Sequence, residues 1–458
     1  MAKAKSKSVF YCSSCGHEEP KWLGRCPGCG EWNSFKEKVL PTAAPTPSGL
    51  FEEAAVPQKI SSIILEDVTR QSTGIPEADQ VLGGGLVEGS AVLLGGEPGI
   101  GKSTLMLQIA MMASQDREVL YISGEESPRQ IKLRANRLGI NSDKLILYCE
   151  SRVEEILRTL EERKPGLVVM DSIQTIQSPS QGMVPGTVNQ LKYGCFELIN
   201  WVRKRGAVLF LIAHVTKDGA IAGPKVIEHM VDTVLYFDHS GSELRVLRAT
   251  KNRFGSVDEV GLFQMGSEGL SQVSHPEGLF LENREGELPP GISVAPVFEG
   301  SRVLLVEIQS LTVPAKGAVS RIFSDRVEGS RVSRVAAIME KHLGIKFSDQ
   351  DIYINVAGGM KIAEIGMELP LALAIYSART GIRIPSDLIA LGEMSLTGEI
   401  RPVPQIRRRL KAAEEMGFKR ILIPGKSDET QEWTGSPPII AKDIKEAIKQ
   451  VFSAPQKH

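Results

Sequence analysis

The sequence has no apolar stretch long enough to span a bilayer, which excludes a membrane-spanning helix. Lys3, Lys5 and Lys7 have no hydrophobic run behind them and so do not open a signal peptide; the expected location is the cytoplasm, with no membrane partner. A surplus of either charge is also missing. Lys and Arg number 54 against 55 Asp and Glu, a net charge of −1, so nucleic-acid contacts must come from local patches and not from a global field. Cysteine is scarce, with 6 in 458 residues. Cys149 and Cys195 stand alone and read as core residues.

The remaining cysteines cluster as Cys12-x2-Cys15 and Cys26-x2-Cys29, in a segment too short to bury a core. Four thiols at this spacing read as a tetrahedral, four-cysteine zinc knuckle over residues 1–40, with Zn²⁺ supplying most of its folding energy. Two disulfides would not suit a reducing cytosol. Lys21, Trp22, Arg25 and Trp32 suit either nucleic-acid contact or packing inside the knuckle. Residues 41–59, rich in Pro, Ala, Thr and Ser, read as a flexible linker.

The strongest signal lies further on, in Gly95-Gly96-Glu97-Pro98-Gly99-Ile100-Gly101-Lys102-Ser103-Thr104. An apolar run precedes it, and apolar residues at helical spacing follow. Gly96-x4-Gly101-Lys102-Ser103 fits a P-loop at every fixed position. Glycines let backbone N–H groups turn inward around a polyphosphate, and the helix start adds partial positive charge. Lys102 then reaches the β- and γ-phosphates of ATP, and Ser103 ligates Mg²⁺. The whole run from Gly96, Glu97, Pro98, Gly99, Ile100 and Gly101 to Thr104 is the candidate nucleotide cradle.

Residues 166–171 form an apolar run closed by Asp171, the Walker B pattern, with Asp171 holding Mg²⁺ through water. The next residue is Ser172 and not Glu, so the general base must come from elsewhere. Glu125, at the end of an apolar strand at 119–123, is the candidate, with Glu126 as the alternate; both also fit a solvated helix start. Another strand, 207–213, ends at His214, a polar group suited to sensing the γ-phosphate. Residues 215–230 read as a mobile loop. Strands at 234–237, 244–249 and 261–265 close an ATPase domain of 60–270. Within it, Lys251-Asn252-Arg253-Phe254-Gly255 carries two cations one residue apart, which project to one side of an extended strand. They are a solvated hairpin tip or fingers offered to a neighbouring subunit. The rest, 271–458, reads as a smaller α/β module with strands at 303–308, 352–356, 389–393 and 420–424. Its helices fall at 331–343, 369–379 and 406–416.

These motifs together, above all 251–255 with the four-cysteine knuckle, 96–104 and Asp171, resemble the bacterial RadA (Sms) DNA-repair family over nearly the whole chain. The resemblance implies an α/β chain with a RecA-like P-loop ATPase core related to DnaB-type helicases, and a C-terminal domain similar to the Lon protease. It implies a homo-hexameric ring on single-stranded and branched DNA, branch migration beside RecA, and Lys251 and Arg253 acting in trans. Laid on Lon's catalytic segments, Met367 stands at the serine and Arg407 at the lysine. Met offers no nucleophilic oxygen and Arg keeps its proton, so the domain is expected to be proteolytically inactive. Arg401, Arg407, Arg408, Arg409 and Lys411 are its candidate basic footprint. A KaiC-like regulatory ATPase and an ATP-dependent protease are the alternatives.

Overall fold

The computed structural model describes residues 8–13, 17–19, 21–39, 59, 69–179, 187–214, 226–240, 244–273, 278, 280–281, 287–317, 320–359, 362–425, 428–431 and 433–452. Cys15, residues 41–58 of the expected linker and 215–225 of the expected loop lie outside the described residues. Strands β1 (Ser8–Cys12), β2 (Glu18–Glu19) and β3 (Phe35–Val39) form an antiparallel sheet in the order β2-β1-β3. Its buried cluster is Cys12, Cys26 and Phe35, with Phe10 packed beside them. So small a core stabilises little by itself, which fits a module that depends on metal.

Strands covered on both faces read as unbroken apolar runs, and the middle of the chain consists of such runs. In order come α1 (Pro76–Leu82), β4 (Ala91–Gly96), α2 (Lys102–Ala113), β5 (Val119–Ser123), α3 (Pro128–Arg137) and β6 (Leu145–Cys149). Then follow α4 (Val153–Arg163), β7 (Leu167–Asp171), α5 (Val188–Arg205), β8 (Val208–His214), α6 (Val226–Met230) and β9 (Thr233–Ser240). The strands pair in parallel in the order β9-β4-β8-β7-β5-β6. Leu93, Leu120, Ile122, Val168, Met170 and Leu211 pack on one face against Ile156 and Leu160 of α4 and Leu198 and Val202 of α5. Helix α2 packs on β4, β5 and β7. Cys195 is buried in α5 as expected, but Cys149 is exposed, because it ends β6 at the edge of the sheet.

Two compact units emerge. The first is Met1–Phe237 with Ala249–Val257 and Ser267–Gly269; the second is Asp238–Arg248, Asp258–Gly266 and Leu270–His458. Strands β10 (Leu244–Asn252) and β11 (Val260–Gly266) are antiparallel, pairing from Leu244↔Gln264 to Arg248↔Val260. That paired stretch belongs to the second unit because Leu244, Val246, Val260 and Leu262 join its core, whereas the tip between them belongs to the first. The second unit continues with β12 (Ile292–Glu299), β13 (Arg302–Pro314), β14 (Ile322–Ser324), α7 (Gly329–Leu343) and β15 (Gln350–Val356). After these come α8 (Glu368–Thr380), β16 (Leu388–Ala390), α9 (Ile406–Glu415), β17 (Arg420–Ile423) and β18 (Ile439–Ile440). Two of its sheets run β12-β13-β15-β14 and β16-β17-β18, and Glu393–Met394 pairs with Ile400–Arg401 in a third.

Candidate nucleotide site and metal ribbon

Four neighbouring strands end together at the carboxyl edge of the parallel sheet. His214 pairs in register with Gly96, and Ser123 with Asp171. Chain leaving β4 must turn at once into α2, and glycine permits it. A Cβ on Gly96 would lie 2.5 Å from the Phe237 carbonyl oxygen, and Gly101 takes a φ of +115° at the helix N-cap. No side chain caps α2, so its first-turn N–H groups face the loop. Lys102 is only 4 % exposed, and its Nζ donates to the carbonyls of Gly96 (2.7 Å) and Glu97 (2.9 Å). Burial lowers its pKa to about 8, against the pull of Asp171, Glu125 and Glu97. The ammonium thus lies inside the loop where an anion's charge would hold it protonated.

The two glutamates after β5 differ sharply. Glu125 Oε1 accepts the Ser172 hydroxyl, and its Oε2 lies 3.6 Å from His214 Nε2. Glu126 is gripped at both oxygens by Arg134, at 2.6 and 2.9 Å. The start of α3 is capped by Ser127 with Gln130, so neither glutamate is needed there. Asp171 Oδ2 accepts the hydroxyl of Tyr121 at 2.6 Å. Sequence reasoning passed over Tyr121 and noted Ser172 only for not being Glu, since nothing in the sequence marks which residue turns toward a carboxylate one strand away. Ser103 is half-buried and Asp171 is partly exposed, a hydroxyl and a carboxylate of the hard-oxygen kind that suits Mg²⁺.

Lys251 and Arg253 lie at the other end of β4. Asp232 holds that end: its backbone N–H donates to the Ala91 carbonyl, and its Oδ2 accepts the Ala91 N–H at 3.0 Å. Its Oδ1 accepts Arg203 and Arg253, each at 3.2 Å, while the Arg253 side chain stays 55 % exposed. Lys251 Nζ donates to the carbonyls of Glu228, His229 and Val231. Burial and the neighbouring Arg253 lower its pKa. Asn252 and Phe254 tie the turn to Val81 and Arg70, so it is docked and not a free tip.

In the ribbon, the sulfurs of Cys12, Cys26 and Cys29 all lie within 4.8 Å of one another. Cys12 and Cys29 are 3.7 Å apart, far beyond a disulfide's length of about 2.05 Å. Thiolates about 2.3 Å from one tetrahedral zinc would stand at about this separation, so the described ligands fit the metal. Trp22 and Trp32 are exposed, with Arg25 5.8 Å over the Trp32 ring.

Comparison with known proteins bears on all of these parts. A rubredoxin metal-binding-domain model matches residues 10–37, a KaiC ATPase model 71–148, and a model of the ChlI subunit of Mg-chelatase 320–427. DNA repair protein RadA of Treponema pallidum is 53 % identical over 433 residues, 93 % of each chain. That of Bacillus subtilis is 44 % identical over 92 % of this chain and 93 % of its own, and that of Escherichia coli 42 % over 93 % and 94 %. The chain belongs to the RadA family of DNA repair proteins. Two solved structures, a RadB recombinase (24 % identical, TM-score 0.37) and a KaiC-like protein of Pyrococcus horikoshii (21 %, 0.38), cover 44 % and 45 % of this chain. Each is itself covered to 99 %. This RadA-family chain thus has a RecA-like ATPase core behind a metal ribbon, and no described helix is long and apolar enough to cross a membrane.

The Lon-like part of this RadA-family chain shows how its basic tract is used. Met367 is wholly buried and Arg407 is exposed, its backbone N–H donating to Glu429. Arg409 is no surface cation. It is 2 % exposed, pairs with Glu364, bonds the carbonyls of Pro296 and Pro404, and stacks 4.5 Å from the Phe298 ring. The expected basic footprint loses that member, because position 409 faces the core side of α9 where Leu410 and Ala413 also pack.

Proposed function

We propose that this chain is an ATP-driven motor on DNA, working as a homo-hexameric ring in the cytoplasm. It would process branched recombination intermediates, drawing single strands through branch migration alongside a RecA recombinase. One observation supports the trans arrangement most. Lys251 and Arg253 cluster at the Ala91 end of β4, five residues and about 17 Å from Gly96, too far to serve their own nucleotide.

In this reading Gly96 to Thr104 cradle the triphosphate, and Lys102 exchanges its two carbonyls for the β- and γ-phosphates. Ser103 and Asp171 would hold Mg²⁺, which when bound would supply charge neutralisation for phosphoryl transfer. Glu125, held by Ser172, takes the proton of the attacking water; Glu126 is committed to Arg134. His214 beside Glu125 reports whether the γ-phosphate is there. Lys251 and Arg253 complete the next subunit's site. Cys15 joins Cys12, Cys26 and Cys29 as the fourth zinc ligand. Proteolysis is disfavoured, since Met367 offers no hydroxyl and Arg407 no titratable amine.

The KaiC match over 71–148 favours a second reading, a regulatory ATPase with no DNA track. ATP hydrolysis measured with and without single-stranded DNA, across salt, separates the two. A motor is expected to be stimulated several-fold, with the stimulation falling as salt screens phosphate contacts. A rate indifferent to DNA at every salt concentration overturns the motor reading.

A further inference from the structure

We propose that Tyr121 is a positioning residue that fixes Asp171 toward the nucleotide's magnesium. The inference rests on the reading of Asp171 as the carboxylate that holds Mg²⁺ through water. Tyr121 lies on β5, two residues before Ser123, the register partner of Asp171. Leu120 and Ile122 point into the cluster beneath α4 and α5. By strand alternation Val119, Tyr121 and Ser123 take the opposite face. Helix α2, which carries Ser103 in its first turn, packs against β5 and β7.

The Tyr121 side chain is 1 % exposed and its hydroxyl reaches Asp171 Oδ2 at 2.6 Å, a short bond to a charged acceptor. A carboxylate on a short side chain at a strand end turns through a broad torsional well. Holding Oδ2 from inside the sheet leaves Oδ1 as the oxygen available to a metal-bound water. Ser172, fully buried, does the same for Glu125. Each of the two carboxylates thus has its own buried hydroxyl, and the pair holds an acidic site in a set geometry without placing a second cation beside Lys102. A tyrosine that merely filled the core would need only some acceptor for its hydroxyl. The structure gives it the one carboxylate of the Walker B strand.

Tyr121→Phe removes the hydroxyl and little else. The measurement is the affinity of full-length protein for a fluorescent, non-hydrolysable ATP analogue, titrated with Mg²⁺ and repeated in EDTA. Asp171→Asn is expected to lose most of the Mg²⁺-dependent tightening, which tests the underlying reading. Tyr121→Phe is expected to match wild type in EDTA yet need about 10-fold more Mg²⁺ for half-saturation, the usual cost of removing a partner behind a metal ligand. Added to Asp171→Asn, it is expected to change nothing further. Tyr121→Met, flexible enough to repack, provides a second variant with the same expectation. A wild-type Mg²⁺ requirement in both Tyr121 variants, beside an Asp171→Asn that has lost it, overturns the inference and spares the site. Equal loss in EDTA and in Mg²⁺ also overturns it, as damage to the core. An Asp171→Asn protein with normal Mg²⁺ dependence overturns the reading of Asp171 itself.

Discussion

A lysine stands near each end of β4, and both rest their ammonium on backbone carbonyls. Lys102 bonds Gly96 and Glu97, whereas Lys251 bonds Glu228, His229 and Val231. Burial lowers the pKa of both, but the charges around them differ. Around Lys102 lie only acids, Asp171, Glu125 and Glu97, which favour the charged form; around Lys251, Arg253 and Arg203 oppose it while Asp232 and Glu228 favour it. The carboxyl end of the sheet is therefore one lysine among acids. The amino end brings together the cations Lys251, Arg253 and Arg203, the last two paired with Asp232 and the first also near Glu228. In the proposed trans arrangement these cations would serve the nucleotide of a neighbouring subunit.

Mutations that treat the two ends as equivalent test this contrast. The largest effect is expected from Lys102→Ala, which loses the β/γ contact and so both nucleotide affinity and turnover, read by equilibrium binding and phosphate release. Arg253→Ala comes next. It should bind ATP nearly as wild type while hydrolysis falls by about 10³-fold or more, the scale of a finger supplied in trans. Equal loss of binding in the two variants would erase the distinction. Mixing sharpens it: Glu125→Gln and Arg253→Ala chains, each inactive alone, should recover activity in shared rings, where a normal base meets a normal finger. No recovery, with subunit exchange demonstrated, rules out trans action. The smallest effect belongs to Asp232→Asn. Its partners Arg203 and Arg253 are 44 % and 55 % exposed, so the ion pairs are worth about 1 kcal/mol or less. Turnover is expected to drop by no more than about 10-fold with nucleotide affinity unchanged, and a loss as large as that of Arg253→Ala would make Asp232 part of the machinery.

Much of this was legible beforehand. The strand before the glycine loop, the strand ending in Asp171 and the strand ending in His214 are apolar runs, the last two closed by a polar residue. Burial on both faces of a parallel sheet writes itself that way. Strand Leu145–Cys149 was missed although its sequence is also an unbroken apolar run, and Cys149 was misjudged because the strand lies at the sheet edge and is half-exposed. Strand Ile292–Glu299 was missed as well, and 303–308 was cut short of its real extent, Arg302–Pro314. The far half of that strand is partly exposed, so its apolar signal fades although the ladder with Gln350–Val356 continues.

Local sequence by itself determined the loop that can wrap a phosphate, the thiol pairs that can hold a metal, and the order of the strands along the chain, since each follows from spacing within a few residues. Tertiary structure alone decided which of two adjacent glutamates meets Ser172 and which is taken by Arg134. It also decided that Tyr121 stands behind Asp171, and that Arg409 is a core residue while Arg407 is not. Those outcomes depend on which side chains from distant segments converge once the sheet closes. Side chains one residue apart on a strand face opposite ways, so a shift of a single position, invisible in composition, changes which partner a side chain meets.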